Sequence, residues 1–136
     1  MHFKQLIVVF SIILSLFVPV LQAHDDIKHY YHLKSSEIVA MFSGKTLHSV
    51  NERTKDKILT YLSKDGTVKQ SIKSSNTQRN GWWHAANNQL CLRWQKFGDE
   101  HCFDKVLFHD EQFYLLVNNE VETVVNKGDE GNTTGF

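Results

Sequence analysis

The spacing of apolar and polar residues divides the chain into three regimes. From Leu6 to Val20 the run LIVVFSIILSLFVPV is apolar or small without interruption. Residues 24–34, HDDIKHYYHLK, follow no period, and the spacing then becomes briefly helical. Ser35 or Ser36 can cap a short helix through Glu37–Phe42, and Gly44 can end it. Two turns of helix are marginal alone, so Ile38, Met41 and Phe42 are expected to dock on a larger element.

Beyond Gly44 the period falls to two, the signature of strands. Lys57–Ser63 and Thr67–Lys73 flank Lys64-Asp65-Gly66, a hairpin signal. A three-residue loop with Gly66 left-handed sets Leu62 against Val68 and Ile58 against Ile72. A two-residue loop sets Val68 against Ser63, so matching apolar faces favours the bulged turn.

The next hairpin can be registered independently. If Cys91 opposes Cys102, then Arg93 faces Glu100, Leu92 faces His101 and Leu90 faces Phe103. One register then yields a bridge, an opposite-charge pair and an apolar pair. It also places Leu90, Leu92, Trp94 and Phe103 on the face away from the cysteines. Val106–Phe108, Phe113–Val117 and Val121–Asn126 continue the pattern, separated by polar turns. The fold class this predicts is mainly β: one short N-terminal helix and an antiparallel meander forming a small disulfide-braced barrel or sandwich.

The leading run changes the reading of the rest. Lys4, the apolar stretch and Leu21-Gln22-Ala23 follow the basic–apolar–small order of a signal peptide, with cleavage expected after Ala23. The run is short for a membrane span, so no membrane span is expected after cleavage. Export gives a periplasmic or secreted location, and the two cysteines then pair as one structural disulfide. The organisation expected is a signal peptide over 1–23, a polar His-rich arm over 24–34, one β-rich domain over 35–126 and a loose tail over 127–136. Lys and Arg balance Asp and Glu at 15 each. So even a charge distribution offers no footprint for nucleic acid.

Candidate chemistry is sparse. His24, His29 and His32 lie near Asp25 and Asp26, a donor set that suits copper or zinc. His84, His101 and His109 read as structural strand or turn residues, His101 on the inner face. The acidic pairs Asp25-Asp26, Asp99-Glu100 and Asp110-Glu111 read as solvated turns. Trp82, Trp83 and Trp94 form the aromatic cluster, with one of Trp82 and Trp83 in the core and the other free to contact a ligand or partner. The chain has no GxSxG, HExxH, phosphate-binding Gly-rich loop or CxxC, so no catalytic residues are assigned.

The order SSEIVAMFSGKTL, Lys64-Asp65-Gly66-Thr67, Asn80-Gly81-Trp82-Trp83, Leu90-Cys91-Leu92-Arg93-Trp94 and Cys102 resembles small exported bacterial proteins of domain of unknown function 995 or a close relative. The resemblance spans roughly 35–108, and the two-cysteine hairpin is its most specific part. It implies a bacterial periplasmic or secreted β-domain and supplies no activity. The His-rich arm is not part of that pattern. The function expected is a non-enzymatic binding module for a small apolar ligand or an envelope or secreted partner protein. The alternative is a metal-handling protein using the His arm.

Overall fold

The computed structural model describes residues 29–96 and 98–136. The expected signal peptide and residues 24–28 of the arm lie outside them. Tyr31–Phe136 forms one compact unit, and the fold described below is that unit.

Strand β1 (Tyr31–His32) is followed by helix α1 (Ser35–Phe42) and nine further strands. These are β2 (Lys45–Asn51), β3 (Lys57–Leu62), β4 (Thr67–Ile72), β5 (Thr77–Ala86) and β6 (Gln89–Trp94). Then come β7 (Glu100–Phe103), β8 (Lys105–His109), β9 (Gln112–Val117) and β10 (Glu120–Glu130). All pair antiparallel in one sheet ordered β1-β8-β9-β10-β2-β3-β4-β5-β6-β7. The meander therefore joins its last strand to β2, and the sheet is left open between its two edge strands, β7 and β1, the latter seated on β8. The result is a curled half-barrel with the disulfide in its wall.

Both derived registers are observed. Leu62 pairs with Val68 and Ile58 with Ile72, with Gly66 at φ 90°. Cys91 pairs with Cys102, Leu90 with Phe103, Leu92 with His101 and Arg93 with Glu100. Three other hairpins turn on two residues with positive φ: Asn87-Asn88, Asp110-Glu111 and Asn118-Asn119. This geometry matches the right-handed twist of the strands, and asparagine and aspartate tolerate it better than most residues.

The helix begins one to two residues earlier than expected, and for a different reason. Lys34, not a serine, occupies the cap position, and Glu37 Oε1 accepts a 2.9 Å hydrogen bond from Lys34 N. Ser35 instead ties the helix start to the β5–β6 turn: its amide donates to Asn88 Oδ1 at 3.0 Å, and its hydroxyl accepts from Asn88 N at 2.7 Å. Ile38 and Phe42 are fully buried, whereas Met41 is 39% exposed and does not dock. An eight-residue helix can bury only a narrow stripe, and positions 38 and 42, one turn apart, occupy it.

Three boundaries differ from the sequence reading. Residues 31–33 are not a free arm, because Tyr31 and His32 pair with Phe108 and Leu107, and Leu33 is buried. The sequence pattern opens a strand at Gly81-Trp82-Trp83, but β5 starts at Thr77, so Gly81 is mid-strand. The tail is not loose: β10 runs to Glu130, pairing Lys127, Gly128, Asp129 and Glu130 with His48, Leu47, Thr46 and Lys45. A register shift between Val125 and Lys127 lets the strand continue, so the polar stretch follows β2 without the alternation that marks a strand. Beyond it, Thr46 Oγ1 donates to Gly131 O at 2.6 Å and accepts from Thr133 N at 2.9 Å, and Thr134 is buried.

Candidate functional site

The two faces of the sheet carry different chemistry. On the inner face, a groove is walled by apolar side chains, among them Leu47, Leu62, Leu90, Phe103 and Leu115, and carries a file of polar ones: Ser49, Thr60, Gln70 and Thr123. Its free space is about 40 Å³, enough for a few water molecules. Gln70 is buried, and its Nε2 donates to Thr60 Oγ1 at 3.0 Å while its Oε1 accepts from Arg79 Nε at 2.8 Å. The Arg79 guanidinium lies 3.9 Å from the Trp94 ring centroid, a cation–π stack. Burial there pushes the Arg79 pKa below its ordinary value.

A wider polar opening of about 530 Å³ lies by the β9–β10 turn, lined by Arg53, His101, Asn118, Glu120 and Glu122 among others. His101 Nε2 is 3.3 Å from Glu122 Oε1, and the imidazole packs edge-on to Phe103 with centroids 4.9 Å apart. The expectation of a core histidine at 101 is therefore corrected. It shares the inner row with Leu92, but edge strand β7 leaves its side chain 44% exposed at the opening.

The three tryptophans do not share a surface. Trp83 and Trp94 belong to the core, and Trp83 Nε1 donates to Ser63 O at 2.8 Å. Trp82, 45% exposed, lies on the outer face with the Arg93 guanidinium 5.0 Å from its ring centroid. Alternation along β5 requires this split, because neighbours on a strand point to opposite faces.

On the outer face, successive strands bring His84, Cys91 and Cys102 into one row, with Trp82, Arg93 and Glu100 in the next. The Cys91–Cys102 bridge has its Cα atoms 4.0 Å apart. His84 Nε2 is 3.1 Å from Glu100 Oε1, and Cys102 Sγ is 3.2 Å from the same oxygen. Among the described residues, His84, Cys91 and Glu100 are the group whose potential metal-donor atoms converge, all within 4.8 Å of one another. From the sequence alone, His84 reads as a structural strand residue. A signal for it was present: a two-residue turn at Asn87-Asn88 pairs Ala86 with Gln89 and hence His84 with Cys91.

The His arm is only partly described. His24 lies outside the described residues, and His32 is an exposed strand residue whose backbone pairs with Leu107. A further histidine, His48, was missed because its partner stands in the stretch read as a loose tail. His48 Nε2 and Asp129 Oδ2 are 2.5 Å apart, with Thr133 Oγ1 donating to the same carboxylate oxygen at 3.2 Å. Hydrogen bonding to His48 above all, with help from Lys127 and Thr133, holds the Asp129 carboxyl below its ordinary pKa.

A depressed folded-state pKa stabilises the fold above the unfolded value, about pH 4, and this contribution is lost as pH falls through the lower folded value. Asp129→Asn should therefore lower the urea midpoint at pH 7 and flatten its decline below about pH 4 relative to the unaltered chain. Parallel midpoint curves for the two proteins over that range would show that Asp129 carries no such linkage.

No protein-family model matches the chain, and neither does any curated protein or solved structure.

Proposed function

We propose that the chain is an exported, non-enzymatic binding module that takes a slender apolar ligand into the inner face of its half-barrel. The observation that carries this reading is the inner groove, where an apolar wall is crossed by Ser49, Thr60, Gln70 and Thr123. Small-ligand sites characteristically combine such a wall with a few placed polar groups. A groove with about 40 Å³ of free space does not hold a drug-sized molecule as it stands. The seam supplies the extra room: the edge strands β7 and β1 share no ladder pairing, so they can part without breaking backbone hydrogen bonds between them. The leader-like run and the disulfide support a periplasmic or secreted setting, the one in which bacterial proteins of domain of unknown function 995 are expected. Among the described residues no helix is long and apolar enough to cross a membrane.

The test is titration with straight-chain carboxylates of increasing length, read by the emission of Trp83 and Trp94, which line the same core. Each added methylene should tighten Kd about fourfold, the equivalent of roughly 0.8 kcal/mol, until the groove is full. Ser49→Phe fills the groove and should abolish binding while the far-UV circular dichroism is retained. Trp82→Ala, on the outer face, should leave the series unchanged. Absence of any chain-length dependence would remove the apolar-ligand reading. Loss of binding in Trp82→Ala alone would move the site to the outer face and favour a partner protein.

A further inference from the structure

The outer-face row is more than a brace. We propose that His84, Cys91, Cys102 and Glu100 form a redox-gated zinc site: closed while the cysteines are bridged, and open to one Zn(II) ion when they are reduced. This does not rest on the inner-groove reading, because the four side chains face away from that groove.

Geometry carries the inference. Donor atoms of His84, Cys91 and Glu100 already lie within 4.8 Å of one another. The fourth donor, Cys102 Sγ, is bonded to Cys91 Sγ and stands 3.2 Å from Glu100 Oε1. Around a tetrahedral zinc ion with bonds of about 2.0–2.3 Å, neighbouring donors are roughly 3.3–3.8 Å apart. Once the S–S bond is broken, the two sulfurs must separate by roughly 1.7 Å, a change that side-chain rotation can supply. Two thiolates, an imidazole and a carboxylate are a zinc donor set, with the carboxylate favouring zinc over softer copper(I).

The backbone holds the four positions without the bridge. His84, Cys91 and Cys102 are consecutive partners across β5, β6 and β7, and Glu100 is two residues from Cys102 on the same face. Their outer-face neighbour, the Arg93 guanidinium, is drawn to Trp82 and not into the cluster. His84 and Glu100 are about half exposed, so an ion has a route in.

The chemistry balances with a small-molecule thiol as reductant. Two equivalents of thiol convert the Cys91–Cys102 bridge into two Cys thiols and leave one equivalent of small-molecule disulfide. Zinc binding then releases both thiol protons to solvent. In the reverse direction the two thiolates are oxidised to the bridge by a small-molecule disulfide, which takes up two protons from solvent to become two thiols, and the zinc ion is released.

The test uses the full chain carrying His29→Ala and His32→Ala, so that the arm does not contribute. Zinc(II) itself is the probe, with one sample oxidised and one reduced under anaerobic conditions, and both followed by native mass spectrometry and competition with a chromogenic chelator. The reduced chain should bind one zinc while keeping its β-sheet circular dichroism, and the oxidised chain none. In the reduced state, His84→Ala should weaken zinc by about 100-fold or more, at or beyond the upper end of what loss of an outer-shell partner does. Glu100→Gln should weaken it by at least about tenfold. Equal binding by oxidised and reduced chains overturns the proposal. So does a folded, reduced chain that ignores zinc, or zinc uptake insensitive to His84→Ala. Loss of the β-sheet signal on reduction even with zinc present also overturns it, because the site exists only in the native strand register.

Discussion

Gly81→Ala should be among the most damaging single-methyl additions in the domain, costing at least about 3 kcal/mol and lowering Tm by roughly 12–20 °C. Gly81 stands in mid-strand between Val68 and Trp94. A Cβ built there would lie 2.1 Å from Arg93 O and 3.0 Å from Trp94 Cα. Both obstacles are backbone, so no side chain can swing aside. The strand must move away from β6, which disturbs the register carrying the disulfide and the burial of Trp83 and Trp94 together. Gly128→Ala is the control, because a Cβ there meets its nearest neighbour at 3.8 Å. It should be neutral or stabilising by about 0.5 kcal/mol, since alanine restricts the unfolded chain. Thermal unfolding of the two variants decides the matter, and a Gly81→Ala loss below about 1 kcal/mol would falsify the close approach.

Phe42→Ala should cost about 3–5 kcal/mol, the range for truncating a buried phenylalanine. The side chain is fully buried and meets Phe113 edge-on with ring centroids 4.9 Å apart. It is also one of two fully buried anchors of a helix too short to persist alone. Truncation therefore removes apolar burial and the reason for α1 to be helical at once. Met41→Ala, one position earlier and 39% exposed, should cost less than about 1 kcal/mol. Urea unfolding monitored by circular dichroism and by tryptophan emission separates two cases. Coincident curves mean that α1 folds with the sheet, and an early loss of helical signal means that it is a detachable lid.

What was legible depended on how local the determining interactions are. The Lys64-Asp65-Gly66 and Cys91–Cys102 hairpins could be registered from the sequence because turn length and side-chain alternation leave one arrangement that matches apolar with apolar. Once Asn87-Asn88 is read as a two-residue turn, the same arithmetic brings His84 to Cys91. That step was within reach and needed only the turn type. Residues 127–130 were a different matter. Lys127-Gly128-Asp129-Glu130 has no apolar alternation, and its strand state comes from β2, about eighty residues earlier in the chain. The His48–Asp129 pair was hidden with it.

Local pattern was enough for the β class, most of the strands beyond Lys57, the two hairpin registers and the opposite facing of Trp82 and Trp83, without saying which of the two is buried. These follow from a period of two and from turn geometry, which act over a few residues. Long-range packing settled that β10 closes on β2, that the half-barrel stays open between its edge strands β7 and β1, and that Met41 faces outward while Phe42 is buried. It alone brought Glu100 within reach of both His84 and Cys102, and set Arg79 over Trp94. Those outcomes depend on curvature and on which distant strands meet. Alternation says which face a residue takes and is silent on where that face bends.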